Sequence, residues 1–138
     1  MLKLAGQMAD GTITWMTGPN TLDSYIIPTI NQSAHSAGKP DATIAAGLPV
    51  VLTNDPDSAR EVIAKELQIY GMLPSYRSML DKEGLEGPAD LAFAGDEAEL
   101  RKKIQTLRDI GVTDLCASIV APDTETFDRT REFLVSEL

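Results

Sequence analysis

The chain has 138 residues, of which 43% are apolar and 24% charged. That composition builds one folded domain and excludes intrinsic disorder. Twelve Lys and Arg against twenty-one Asp and Glu give a net charge of −9, which repels phosphate backbones and anionic lipid, so neither nucleic acid nor a membrane is an expected partner.

Thr12-Ile13-Thr14-Trp15-Met16-Thr17 is β-branched and aromatic, follows Asp10-Gly11 and closes on Gly18-Pro19, which predicts a short strand. Leu22, Tyr25, Ile26, Ile30, Ala34 and Ala37 then recur at helical spacing up to Gly38-Lys39-Pro40; Pro28 kinks this helix or starts its regular part. Residues 43–53 (TIAAGLPVVLT) are almost continuously apolar, as in a strand buried on both faces. Within it Pro49 marks a bulge, or an edge where no amide donor is needed. Asp55 as N-cap and Pro56 at the first helical position open a helix running through Val62, Ile63, Leu67 and Tyr70 to Gly71. A second short helix is predicted from Pro74 to Glu83, followed by a loop from Gly84 to Pro88. Asp96 and Glu99 form a capping box, and Leu100, Ile104, Leu107 and Ile110 give the cleanest amphipathic helix, ended by Gly111. Residues 112–120 (VTDLCASIV) read as the third strand. Pro122-Asp123 restarts a helix carrying Phe127, Thr130 and Leu134. Strands alternating with helices over short connections predict an α/β domain with a parallel sheet.

Chemistry in such folds gathers at the carboxyl ends of the strands. Trp15, the only Trp, sits at such an end beside Gly18-Pro19, placed either to stack on a planar ligand or to fill the core. Tyr70, Tyr76 and Arg77 surround the Gly71-Met72-Leu73-Pro74 break, either as a lid or as ordinary helix packing. His35 reads as a solvated or capping side chain near a helix end, Asp114 as structural, Arg101-Lys102-Lys103 as a solvated helix face, and Cys116 as a buried structural thiol with no basic neighbour. A single Cys excludes an internal disulfide, and a single His excludes a His-rich metal site. No phosphate loop, dinucleotide fingerprint or nucleophile elbow is present, so no catalytic residue is assigned. No run approaches the ~18 apolar residues of a membrane span, and no signal peptide pattern opens the chain; a cytoplasmic location is the expectation.

Leu4-Ala5-Gly6 through Ala9-Asp10-Gly11, then Ile13-Thr14-Trp15 and Gly18-Pro19, resemble a stretch of the bacterial luciferase-like monooxygenase superfamily, in its coenzyme F420-dependent oxidoreductase branch. Tyr70-Gly71, Leu73 to Arg77, Met79-Leu80-Asp81, Glu83-Gly84, Gly87 to Asp90, and the helix from Gly95-Asp96 to Gly111-Val112-Thr113-Asp114 are also similar. The likeness covers essentially the whole chain but only about the last half of the family's chain. It implies one domain over residues 1–138 forming part of a (β/α)₈ barrel, and hydride transfer or oxygen activation on small molecules. It also implies coenzyme F420 or FMN at the carboxyl face. Cofactor contacts carry over to Trp15, Met16, Thr17 and Gly18; Tyr76 and Arg77 match a segment assigned here to substrate or lid. Three strands cannot close an eight-stranded ring, and a barrel of that kind needs roughly 200 residues or more. The expected fold is therefore a half TIM barrel completed by oligomerisation, as a homodimer or with a separate N-terminal half, because open edges and the apolar strand 43–53 demand cover. Activity is not expected from this half alone; the alternative function is a non-catalytic binding or assembly module.

Overall fold

The structure, a computed structural model, describes residues 1–138. The elements run α1 (Leu2–Met8), β1 (Gly11–Trp15), α2 (Pro19–Thr21), a π-helical turn (Leu22–Ile26), α3 (Ile27–Ser36), β2 (Thr43–Leu52) and α4 (Pro56–Glu66). A 3₁₀ turn (Gln68–Gly71), α5 (Pro74–Glu83), a second 3₁₀ turn (Pro88–Leu91), β3 (Phe93–Gly95), α6 (Glu97–Asp109), β4 (Asp114–Ile119) and α7 (Thr124–Ser136) complete the chain. The caps read from the sequence are formed. Asp55 accepts from the Ser58 amide at 3.1 Å, and Asp96 and Glu99 exchange bonds of 2.9 and 3.3 Å. Pro28 is the second residue of α3, directly after the π turn, so it begins the regular helix.

All strand pairs are parallel, and the sheet is open. β2 is its spine: β4 pairs along one edge over Ala45–Val50, while β1 and then β3 share the other edge, at Thr43–Gly47 and Val50–Leu52. This corrects the count of three strands. β3 has three residues, none β-branched, too short for an alternation to register.

Pro49 lies at the handover on that shared edge. The Gly47 carbonyl accepts from the Met16 amide at 3.1 Å and the Thr53 amide donates to Gly95 O at 2.9 Å. Alternate residues of a strand turn their backbone groups to the same edge, so the missing Pro49 donor falls in the gap between β1 and β3. There is no bulge; Pro49 occupies a stretch of an interior strand where no partner asks for a proton.

One face of β2, formed by Ile44, Ala46, Leu48, Val50 and Leu52, joins the main core with Ile30 of α3, Leu100, Ile104 and Leu107 of α6, and Phe133 of α7. On the other face Val51 packs with Ala94 of β3 and with Ala59 and Ile63 of α4. Nine of the ten β2 residues are buried by this chain alone. The expectation that β2 needs an outside cover is therefore overturned: its own helices cover it. What stays open are the outer edges of β1 and β4, and the face bearing Ile13, which is 76% exposed. Cys116, expected to be buried, is exposed on β4. Its strand borders only β2, so the alternation that reads as a buried strand belongs to an edge.

Candidate functional site at the carboxyl end of β1

Residues paired across a parallel ladder point the same way, so Trp15, Gly47 and Cys116 form one row across β1, β2 and β4, with Ile13, Ala45 and Asp114 in the row before it. Gly47 leaves room for the indole: a Cβ there would stand 3.0 Å from Trp15 Cε3 and would collide with the Thr14 carbonyl. Tyr70 meets the Trp15 ring edge-on at 5.9 Å between centroids, and Tyr76 meets Tyr70 at 4.8 Å. The three rings form a chain from the end of β1 to the start of α5. Within it the indole Nε1 is buried and has no hydrogen-bond partner. A buried donor left without an acceptor costs about 1–3 kcal/mol.

The chain turns sharply after Trp15. Met16 is fully buried with φ at 57°, in the left-handed region, and this ends β1 before the Met16-Thr17 pair that the sequence placed inside the strand. Thr17 and Gly18 are also buried, so of the four predicted contact residues only Trp15 keeps part of its side chain at the surface.

Glu83, unassigned from the sequence, organises the turn. Its carboxylate accepts from the Asn20 amide at 3.0 Å, the Thr21 amide at 2.8 Å and the Thr21 hydroxyl at 2.7 Å. It thereby caps the continuous helical run 19–36 from more than sixty residues away. A Cβ on Gly18 would collide with this carboxylate. No local pattern announces such a bond; the only signal was a Gly, and not Ser or Asp, where a helix begins.

Arg77 donates to Asp81 at 2.8 Å and to the carbonyls of Glu86 and Leu85 at 2.7 and 2.6 Å. It closes the loop after α5. Tyr76 is half-buried in the ring chain, so the structure brings Tyr76 towards Trp15 and directs Arg77 elsewhere. His35 pairs with Asp41 at 2.7 Å on the surface, and Asp114 is exposed at the start of β4.

Two concavities lie away from these rings. A groove of about 440 Å³ runs along the helical side of the free β4 edge, lined by Leu107, Leu115, Ala117, Ile119 and Leu134. A polar hollow of about 360 Å³ lies at the carboxyl ends of β2 and β3, but Asp96 is spent on its cap and Arg101 on Glu97 and Glu137, both at 2.9 Å. Neither holds an acid–base pair or an activated nucleophile. No helix is long and apolar enough to cross a membrane.

The family described as luciferase-like monooxygenase matches residues 1–136. No curated protein matches the sequence. Among solved structures, a coenzyme F420-dependent tetrahydromethanopterin reductase from Methanopyrus kandleri aligns with a TM-score of 0.76 at 23% identity, over 100% of this chain and 47% of that one. An F420-dependent secondary alcohol dehydrogenase, solved with an F420-acetone adduct, gives 0.68 at 22% identity, over 96% and 45%. The oxygenating constituent of 3,6-diketocamphane monooxygenase from Pseudomonas putida, solved with FMN, gives 0.65 at 15% identity, over 96% and 43%. At these identities the likeness establishes the fold. The chain spans less than half the length of each of these structures.

Proposed function

Since the chain belongs to the luciferase-like monooxygenase family, we propose that it is the carboxyl half of a flavin- or deazaflavin-dependent oxidoreductase barrel, in which the end of β1 meets the ring system of FMN or coenzyme F420. The observation that carries this reading is the Trp15 indole at the end of a parallel strand, in a chain of aromatic rings and with a buried N–H that lacks an acceptor. A flat heterocycle supplies a stacking surface for the part of the indole that stays at the surface. When bound, such a group supplies hydride transfer or, for a flavin, oxygen activation.

The fit is one-sided. Trp15 makes the contact, while Met16, Thr17 and Gly18 shape the wall behind it. Tyr76 belongs to a lid over the indole, and Arg77 holds the loop at the lid's base. At the end of β1 neither the helix start, which Glu83 fills, nor Arg77, which is committed to the loop, is free to hold a phosphate. The phosphate and the acid–base groups come from the other half of the barrel, so this half is not catalytically self-sufficient. That other half is either a separate N-terminal segment or a second copy of the chain, met at the open edges of β1 and β4. The substrate is a small molecule, and the protein works in the cytoplasm. A second reading, a non-catalytic half-barrel for binding or assembly, draws support from the burial of β2 within this chain.

Titration of the purified protein with FMN and with coenzyme F420, followed by Trp15 fluorescence alongside mass measured by light scattering, separates the two readings. Saturable quenching in an assembled species is expected. No quenching by either compound, at any state of assembly, would leave the assembly module as the function.

A further inference from the structure

Glu83 is more than a helix cap. The three other long helices that carry a side-chain cap use their own local Asp: Asp55, Asp96 and Asp123. Here the N-cap is Gly18, which offers no side chain, and the acceptor arrives from the last residue of α5. Glu83 makes no ion pair, so its charge is met only by two amides, one hydroxyl and the positive end of the helix. The start of a helix is where an anion, a ligand phosphate included, is ordinarily received. The protein has filled that seat with an anion of its own, one turn beyond Trp15, and has kept residue 18 free of a Cβ so that the carboxylate fits.

We propose that Glu83 sets the polarity of this corner: with the anion position taken, a ligand that reaches Trp15 presents an uncharged ring there and is barred from docking its phosphate. The inference rests on the reading that the end of β1 receives the cofactor, and it adds which end of that molecule is admitted. Glu83 acts through the helix start and the 16–21 turn, and is a positioning residue.

Anion rescue tests it without any flavin. Glu83→Ala, Glu83→Gln and wild type are melted in chloride, inorganic phosphate and acetate at equal ionic strength. Phosphate and acetate at 0.1 M should each raise the melting temperature of Glu83→Ala by about 3 °C or more, because an ion that binds only the folded form stabilises it. Wild type and Glu83→Gln, whose seat is filled, should shift by less than about 1 °C on the same scale. Equal shifts in Glu83→Ala and wild type, or none in either, would overturn the proposal. If Glu83→Ala does not fold, Glu83→Gln decides by hydrogen exchange: the Asn20 and Thr21 amides should exchange roughly tenfold faster than in wild type, as expected when charge-assisted bonds become neutral ones. Unchanged exchange refutes the role. FMN and riboflavin, compared by Trp15 quenching, separate this claim from the cofactor reading. Wild type should hold the two within about twofold and Glu83→Ala should favour FMN about tenfold, a margin set by recovering one charged contact. Failure of both to bind sinks the cofactor reading and leaves the rescue result to decide the anion position.

Discussion

Thr130 offers the sharpest test of how the sheet is held. Its side chain is fully buried in α7, donates to the Thr126 carbonyl at 2.7 Å and accepts from the Leu52 amide at 3.0 Å. That amide is the last of β2 and points to the β4 edge beyond the end of β4, so no strand can satisfy it. Thr130→Val keeps the volume and deletes the acceptor, which leaves one buried N–H unpaired at a cost of about 1–3 kcal/mol. The unfolding entropy of a 138-residue domain is about 0.29 kcal/mol/K. A central cost of about 2 kcal/mol therefore lowers the melting temperature by about 7 °C. Thr130→Ser keeps the acceptor and loses a methyl, for a smaller cost of roughly 1 kcal/mol. Thermal melts followed by circular dichroism should rank wild type above Ser above Val. If Val melts within about 1 °C of wild type, or Ser falls as far as Val, the hydroxyl does not support the end of β2 and the account of that edge is wrong.

Three further outcomes follow from other parts of the structure. The Asp123 carboxylate accepts from the Thr126 amide at 2.7 Å, and this bond above all holds its pKa below the ordinary 3.8. The ionised form is thus favoured by folding, so its contribution is complete above the unfolded value and disappears as pH falls through the lower native value. The melting gap between wild type and Asp123→Ala should be constant near neutrality and close in acid; a gap that persists at about pH 2 contradicts the cap. Gly47→Ala should cost about 1–3 kcal/mol by overpacking and shift the Trp15 emission, since the new methyl meets the Thr14 carbonyl and the indole; an unchanged spectrum would show that the ring does not lie over Gly47. Exposed Cys116 should react with a thiol reagent in dilute native protein and become protected as concentration rises if a second copy covers this face; labelling that ignores concentration argues against a homodimer.

The parts of the fold that were legible in the sequence are those written within a few residues of themselves. Asp55-Pro56 and Asp96 with Glu99 announce helix starts because each cap reaches an amide three positions on. The long apolar run of β2 announces burial, but not by what. It suggested a missing partner, whereas α3, α6 and α7 cover one face and α4 the other. β3 escaped because three residues carry no period. At the site, Trp15 stood out as the only Trp at a strand end. Its orphaned nitrogen and the Glu83 carboxylate did not, because both are products of segments brought together across fifty residues or more. Cys116 misled because alternation reports a strand and not its place in the sheet.

Pro49 carries a consequence for the polar groups of this corner. A proline in the central strand means that a longer β1 would gain no bond from residue 49: the left-handed turn at Met16 takes the chain away, and past Gly47 the ladder would in any case lack a rung. The notch between β1 and β3 thus coincides with two features, the turn at Met16 and the missing donor of Pro49. An amide hydrogen at position 49 would add a donor that neither β1 nor β3 is placed to receive, so the imino acid spares this rim an unpaired polar group.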